Sequence, residues 1–244
     1  MFRPIAMFAA QLVAALILVT SMQLPAAADI SDGDRAAFNK MIEDYIRANP
    51  DVVREALISL AEREDSERRK QAMVILRDDI GDPVLGNPEG SFVVYEFSDY
   101  NCGYCKRVFQ PLMELVKEDS DIRLVVKEFP ILSQSSVLAA QAGIAAHSQG
   151  VFPDFHIAMM TARGEITMAS ILDAAEAAGA DLDRLQADMN SPEVALVIER
   201  TRAAAQQLEI TGTPGLVIGS QVIPGAISIE QMREIIAAER AANS

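Results

Sequence analysis

Apolar residues recur every three or four positions early in the chain, from about residue 31 to residue 77. One group is Phe38, Met41, Ile42, Tyr45 and Ile46, and the next is Val52, Val53, Ala56, Leu57, Leu60 and Ala61. This spacing predicts two amphipathic helices. Asn49 and Pro50, between the groups, are typical of an N-cap followed by proline at the first helical position.

A run of charged residues over 62–70 follows these two helices, before Met73, Ile75 and Leu76. The apolar helix faces need a covering surface, either the main domain or the same helices of another subunit. The charged run makes a poor packing surface and a good solvated helix. We therefore favour self-association through the N-terminal helices.

Residues 81–90 are dense in glycine, proline, asparagine and aspartate, which predicts a turn-rich boundary. The apolar run 92–97 predicts a buried strand, and 106–117 predicts a helix that Pro111 should kink. Residues 122–129, ended by Pro130, predict a second strand. A helix of this length can carry the chain back across a sheet, so the two strands should be parallel.

From about residue 133 to 208 the pattern is helical and rich in alanine. We predict helices around 137–144, 152–159, 168–178 and 192–208, with Thr167 as the cap of the third. Residues 216–218 and 222–224, joined by Gly219, Ser220 and Gln221, predict a β-hairpin. A last helix is predicted over 228–242.

The composition fits a globular protein with one good core and an accessory region: the chain has 244 residues, of which 50% are hydrophobic and 23% are charged. Its formal charge of -14 argues against nucleic acid as a partner, since phosphates are bound by clusters of lysine and arginine. Acidity of this size suits a soluble protein with basic or polypeptide partners.

Residues 1–28 have the parts of a cleaved secretory signal peptide. Arg3 provides the positive start, residues 5–19 the apolar core, and Ala26 to Ala28 an A-x-A cleavage site. The alternative is an uncleaved membrane anchor, which the short apolar run disfavours. We therefore predict three parts: the signal peptide, an N-terminal helical segment over 29–81, and a main domain over 82–244 with a helical insertion at about 133–208.

Cys102 and Cys105 are the only two cysteines of the chain and lie between the strand 92–97 and the helix that follows. A cysteine at a helix N-terminus lies beside unpaired N–H groups and the positive end of the helix dipole, which favour thiolate over thiol. The thiolate is the attacking species in disulfide exchange. Export would place the pair in an oxidising compartment, where a disulfide persists.

Three other interpretations of the CxxC motif are weaker. Structural zinc needs four ligands, and the chain adds only the widely separated His147 and His156. Covalent haem attachment needs histidine after the second cysteine, where Lys106 stands. An inert structural disulfide is disfavoured because so small a loop stabilises little. Far along the chain, Thr213 and Pro214 precede a predicted strand, and their X-Pro bond is either cis or an ordinary trans bond.

The segments VYEFSDYNCGYCK, LVVKEFPIL and TGTPGLVIG resemble the DsbA family of bacterial periplasmic thiol-disulfide oxidoreductases, and within it the ScsC-like subgroup with its N-terminal helical extension. The resemblance implies an α/β thioredoxin fold with a helical insertion, a cis Pro214 beside the cysteines and no bound cofactor, only a redox-active Cys102–Cys105 disulfide. It also implies that Glu96 and Lys127 lie as a pair beneath the active site. Without the resemblance, the residues leave an equal alternative, in which Glu96 lies at the strand edge and faces solvent.

Our hypothesis for the mechanism is that Cys102 is the nucleophile and the more exposed cysteine, and that Cys105 resolves the mixed disulfide. Gly103 and Tyr104 set the redox poise through the helix terminus. Thr213 and Pro214 offer backbone groups to an extended substrate.

We predict that the protein carries out thiol-disulfide exchange on cysteines of exported proteins in the periplasm. We favour an isomerase or reductase over a dedicated oxidase. Several active sites in one oligomer would suit an isomerase, and the resemblance and the threonine before Pro214 point the same way. The alternatives are a dithiol oxidase and a non-catalytic envelope-binding protein with a vestigial CxxC. The predicted partners are cysteine-containing exported proteins, a membrane redox partner and further copies of the chain. Peripheral association with the outer membrane is an alternative location.

Overall fold

The computed structural model describes residues 31–242, so the signal peptide predicted over residues 1–28 lies outside the described residues. The chain divides into two compact units between residues 61 and 62. The first unit contains helix α1, Asp32–Ala48, and the first turns of helix α2. Helix α2 spans Pro50–Arg77 and continues into the second unit. Ser31 caps α1 through a hydrogen bond from the Asp34 N–H, and α1 has no buried residue. Both predicted helices are therefore confirmed.

Asn49 has a different role from the predicted one. Its side-chain amide donates to the Tyr45 carbonyl over 2.8 Å, which closes the end of α1 instead of capping α2. Pro50 is the first residue of α2, as predicted. The Tyr45 carbonyl also accepts the backbone N–H of Asn49 over 2.9 Å, so both amide groups of Asn49 close this end of the helix.

The second unit contains a five-stranded sheet in the order β1-β3-β2-β4-β5. Its strands are β1 Val84–Gly86, β2 Phe92–Ser98, β3 Ile122–Glu128, β4 Gly215–Ile218 and β5 Gln221–Pro224. β2 and β3 are parallel, as predicted, and the other pairs are antiparallel. The helices are α3 Gly103–Glu118, α4 Gln134–Ser148, α5 Phe152–Thr161, α6 Met168–Ala177, α7 Leu182–Met189, α8 Pro192–Gln207 and α9 Ile229–Ala242.

Strand β1 was not predicted, because the turn-rich composition of residues 81–90 hides it. It is three residues long and pairs with β3, Leu85 opposite Leu124. Gly86 ends it with a φ of 77°, and a Cβ there would lie 2.6 Å from Val116. A strand this short forms because β3 offers it an open edge, so its existence depends on the sheet.

The two sheet faces carry separate cores. Val94, Leu124 and Val126 face helices α3 and α9, which contribute Leu112 and Met232. On the other face the strand residues Tyr95, Phe97 and Val125 form a second core with two helices. The last turns of α2 contribute Ala72 and Leu76, and α8 contributes Ala204 and Ala205. The C-terminal part of α2 is thus part of the second unit's core.

Helices α4 to α8 form the helical insertion between β3 and β4. Alanine in α4 permits close helix packing, and Ala139, Ala142 and Ala145 lie in a core with Phe155 and Ile171. Thr167 caps α6 in a capping box with Ser170, as predicted. Helix α7 was not predicted, although Leu182, Leu185 and Met189 have helical spacing; it has only eight residues. Within residues 31–242 no helix is long and apolar enough to cross a membrane.

Candidate active site

Cys102 is the N-cap residue of α3, and its sulfur takes the place of the oxygen that usually caps a helix. The Cys105 N–H donates to Cys102 Sγ over 3.3 Å, and the thiol donates to the Thr213 carbonyl over 3.2 Å. Both cysteines are free thiols. The sulfur therefore lies where the helix N–H groups point, next to a loop more than a hundred residues away in sequence.

The two thiols differ in exposure. Cys102 is 5% exposed, whereas Cys105 is fully buried at 0%. Burial raises the pKa of the Cys105 thiol far above its usual range, and the charge of Glu96 raises it further. A buried Cys105 must therefore give its proton to a nearby base before it can attack.

The loop that faces Cys102 contains a cis peptide bond between Thr213 and Pro214. Pro214 precedes β4, and its carbonyl accepts a hydrogen bond from the Gly225 N–H over 2.8 Å.

The two residues between the cysteines lie on the first turn of α3. Tyr104 is 59% exposed, and the Arg107 guanidinium stacks 3.8 Å over its ring. Gly103 is the first helical residue, and a side chain there would meet open space.

A groove of about 910 Å³ is lined by Tyr104, Thr213 and Pro214, and Cys102 contacts it through the Thr213 carbonyl. Its walls combine apolar residues such as Ile210 and Val222 with the basic residues Arg69 and Arg107. The groove joins the loop of the cis peptide bond to the first turns of α3.

Glu96 is buried at 1% exposure, so the alternative of an edge position facing solvent is wrong. Its position in β2 is opposite Val126 and flanked by Val94 and Ser98 on the same face, the one that α3 covers. Glu96 Oε1 has no hydrogen-bond partner among the described residues. Burial raises the pKa of Glu96 to about 7.

Lys127 does not pair with Glu96, which corrects the implied Glu96 and Lys127 pair. Residues opposite each other on neighbouring strands share a face, and Lys127 is opposite Phe97, one residue beyond Glu96. Side chains alternate between faces along a strand, so Lys127 lies on the side away from α3. It forms a fully buried ion pair with Asp82 instead, over 2.6 Å.

Asp99 is a site residue that the sequence reasoning missed. Its carboxylate accepts hydrogen bonds from the N–H groups of Asn101, Ile131 and Leu132 and from the Ser136 hydroxyl, over 2.7 to 3.1 Å. It joins the loop before α3 to the loop after β3, and so holds the CxxC turn in place. Its place directly after a buried strand was the only available indication.

A second missed group consists of Tyr100, Glu128 and His156. The Tyr100 hydroxyl donates to Glu128 Oε1 over 2.8 Å and lies 3.0 Å from His156 Nδ1. All three side chains are buried, with Tyr100 in the same core as both cysteines. Glu128 sits at the end of an apolar strand, where an ionisable residue is itself an indication of function.

Two family models match this chain. The DSBA-like thioredoxin domain matches residues 93–237, and the copper resistance protein ScsC N-terminal domain matches residues 34–65. Curated relatives include a Na⁺/H⁺ antiporter NhaA 1 of Salinispora arenicola, 29% identical over 153 residues and 62% of this chain. The chain spans about a quarter of that relative's length, 24%.

Solved structures similar to the chain include a thioredoxin-like oxidoreductase from Silicibacter pomeroyi (40% identity, 70% of this chain and 97% of that one, TM-score 0.65). Another is the catalytic domain of Proteus mirabilis ScsC (25% identity, 72% and 98%, TM-score 0.65). A third is a periplasmic thioredoxin-like protein from Salmonella enterica serovar Typhimurium (26% identity, 70% and 97%, TM-score 0.62). The chain therefore belongs to the DsbA-like thioredoxin family, with an N-terminal region of the ScsC type.

Proposed function

We propose that the chain exchanges disulfides with exported proteins through Cys102 and Cys105. The observation that carries this proposal is the position of Cys102 Sγ, which caps α3 and contacts the Thr213 carbonyl at the end of the groove. The helix N-terminus stabilises negative charge on that sulfur. No group of three or more metal-ligating side chains occurs among residues 31–242, and the proposed chemistry uses no cofactor beyond the two thiols.

Reduction of a substrate disulfide then takes two steps. The Cys102 thiolate attacks one substrate sulfur, which forms a mixed disulfide and releases the other substrate sulfur as a thiolate. Cys105 loses its proton and attacks Cys102 Sγ, which releases the first substrate sulfur and leaves the Cys102–Cys105 disulfide. The substrate gains two electrons and the cysteine pair loses two. In isomerisation, a substrate thiol attacks the mixed disulfide before Cys105 does.

Glu96 is the proposed proton acceptor for Cys105. It is the buried carboxyl whose charge acts on the Cys105 thiol, and a base with a pKa near 7 can both accept and release a proton in a neutral medium. Gly103 and Tyr104 act by shaping the helix terminus. Lys127 has no part in the proposed proton transfer, because it lies on the other face.

The proposed substrate is an extended peptide segment around a cysteine, lying in the groove. The Pro214 carbonyl is already bonded to Gly225, whereas the Thr213 carbonyl loses its hydrogen bond when the Cys102 thiol ionises, so we propose the Thr213 backbone for strand-like pairing. Arg107 adds positive charge to the groove wall, where Arg69 is paired with Asp65 and Glu209 with Arg68. Exported proteins and a membrane redox partner that recycles the pair are the proposed partners.

We propose isomerase or reductase activity in a homo-oligomer as the cellular role. Support comes from the exposed apolar residues of α1, among them Phe38 at 59%, and from the ScsC-type match over residues 34–65. Joined active sites raise the effective concentration of one site for a substrate held by another. A dithiol oxidase is the alternative in the same class, and an envelope-binding protein with an inert CxxC the alternative in another.

The periplasm is the proposed location. The Salmonella relative is described as periplasmic, and residues 1–28 have the pattern of a cleaved signal.

Cys102→Ser and Cys105→Ser test the assignment of the two thiols. Serine still accepts a hydrogen bond at the N-cap, so Cys102→Ser removes the sulfur chemistry and leaves the helix cap. We expect Cys102→Ser to abolish insulin reduction and Cys105→Ser to accumulate a mixed disulfide with substrate, seen by mass spectrometry under non-reducing conditions. Insulin reduction at the wild-type rate in Cys102→Ser would refute the assignment and favour the inert binder.

A further inference from the structure

The face of the sheet beneath the CxxC helix carries two buried carboxyl groups. Glu96 is opposite Val126 and Ser98 is opposite Glu128, so Glu96 and Glu128 are diagonal neighbours on that face. Each is 1% exposed. Among the described residues, neither forms an ion pair with lysine or arginine. Two buried acids with no counter-cation on one face resist simultaneous ionisation.

Tyr100 and His156 hold Glu128 without neutralising it. The Tyr100 hydroxyl has a single hydrogen, which it donates to Glu128, so the 3.0 Å contact with His156 requires the hydrogen on His156 Nδ1. Burial lowers the pKa of His156 to about 3, so the ring is neutral. His156 Nε2 then faces the core with no partner among the described residues.

The chain also leaves space for this arrangement on α4. A Cβ at Gly143 would lie 2.8 Å from Glu128 Oε1 and 2.9 Å from the Tyr100 hydroxyl oxygen. Any side chain at position 143 would therefore displace one of the two groups. The Glu128 carboxyl is held by packing as well as by its hydrogen bond.

The ionisable groups around the two carboxyls come from every element packed against them. They are Asp99 and Tyr100 after β2, Cys102 and Cys105 at the start of α3, and His156 on α5. Asp82 is farther away, on the opposite face, where it forms an ion pair with Lys127. The near groups among the described residues include no cation, because His156 is neutral, so the surroundings favour retention of a proton.

We infer that Glu96 and Glu128 form a coupled carboxyl pair that holds one proton between them and accepts the proton of Cys105, with Glu96 as the first acceptor and Glu128 as the second. This inference rests on the proposed function. As Cys105 attacks Cys102 Sγ of the mixed disulfide, its proton passes to the ionised carboxyl, and the Cys102–substrate bond breaks. The substrate sulfur leaves as a thiolate and is protonated by solvent.

The electrostatics agree with the geometry. Burial raises the pKa of Glu128 well above its usual range; the Tyr100 hydrogen bond lowers it in part, and the charges of Asp99 and Glu96 raise it further. Burial raises the pKa of Glu96 to about 7. Because the two buried carboxyls resist a second charge on one face, one keeps its proton while the other is ionised, and Glu128 can act as the acceptor when Glu96 is absent.

The test uses the full chain with Glu96→Gln, Glu128→Gln and both together. The measured quantity is the rate at which Cys105 resolves a preformed Cys102 mixed disulfide, as a function of pH. We expect Glu96→Gln to slow resolution about tenfold near pH 7 and to move the midpoint of the pH profile upward, because Glu128 becomes the acceptor. The double variant should lose about 100-fold and show no carboxyl midpoint.

Glu114→Gln removes an exposed carboxyl from α3 and is the matched control, expected to leave the profile unchanged. Tyr100→Phe in the Glu96→Gln background should move the midpoint further upward, because it removes the hydrogen bond that lowers the pKa of Glu128. A double variant with the rate and midpoint of Glu96→Gln would overturn the inference.

Infrared spectroscopy gives a readout that does not depend on exchange. At about pH 8, above the pKa of about 7 for Glu96, a coupled pair should still hold one proton, so we expect a protonated carboxyl band in the wild type that is absent in Glu128→Gln. A wild type that lacks the band refutes the coupled pair. A wild type that shows the band and has no exchange activity refutes the proposed function while leaving the pair intact.

Discussion

Glu96 is the residue at which burial and chemistry conflict most directly. It is a carboxyl at 1% exposure, with one oxygen that has no partner within the described part of the chain. Burial raises its pKa from 4.5 to about 7, so the folded protein binds this proton more tightly than the unfolded chain does. A buried carboxyl of this kind destabilises the folded state once it ionises. Such groups occur at active sites, where a base is needed.

The stability of the protein should therefore depend on pH through Glu96. The folded pKa is above the unfolded one, so the penalty is absent below about pH 4.5, grows as the pH rises through the window up to about 7, and is complete above it. Its size is on the order of 3 kcal/mol. We expect Glu96→Gln to gain about 1–3 kcal/mol relative to the wild type between pH 4 and pH 8.

Urea unfolding of both reduced proteins at these two pH values measures that change. A difference in unfolding free energy that is the same at both pH values comes from the glutamine amide and is not evidence for the shifted pKa. Parallel dependence on pH in the two proteins would contradict the shifted pKa.

At the scale of elements, α2 serves two purposes along its length. Residues up to Leu60 carry exposed apolar side chains, whereas Ala72 and Leu76 are fully buried against the sheet with Tyr95 and Phe97. The charged run between them is bonded locally, for example Arg69 to Asp65 over 2.7 Å. A truncation that is meant to remove only the N-terminal segment must therefore end before residue 62.

Leu76→Ala tests the structural part of α2. Removing a buried leucine side chain leaves a cavity, so we expect a loss of about 2–5 kcal/mol in unfolding free energy. Val74→Ala, on the same helix at 70% exposure, is the matched control and should change stability by less than about 0.5 kcal/mol. Equal losses in urea unfolding would show that this turn of α2 does not pack on the sheet.

At the scale of the whole molecule, helix α1 stands out because its large apolar side chains are exposed. Phe38, Met41 and Tyr45 are each more than half exposed and lie three, four or seven residues apart. Isolated apolar residues on a surface are ordinary, but a helical stripe of large ones indicates a contact surface. A second copy of the chain is the partner that we propose for it.

Phe38→Asp together with Tyr45→Asp should convert the full chain to a monomer, because a charge buried in an apolar contact is costly. We expect insulin reduction to persist and the refolding of scrambled ribonuclease to fall about tenfold, since linked active sites raise effective concentration. Ala36→Asp adds charge to α1 on the side opposite the apolar stripe and is the control. Light scattering gives the mass, and unchanged ribonuclease refolding by a monomeric variant would contradict the role of association.

Much of the fold and part of the site were predictable from local sequence. The helical spacing of α1 and α2, the strand that leads into Cys102 and the turn between β4 and β5 depend on residues a few positions apart. The same is true of Cys102 as a helix cap, because the cap and the first turn are adjacent. The family resemblance added the approach of Thr213 to Cys102, which no local pattern contains.

The tertiary structure alone decided which buried charges meet. Glu96 and Lys127 are both ionisable residues in apolar strands, but their faces depend on the register between β2 and β3, where one residue of offset reverses the side. The register places Lys127 with Asp82 and leaves Glu96 with Glu128. The sequence by itself determined that a redox pair stands at the start of α3; the pairing of distant strands determined which carboxyls lie beneath it.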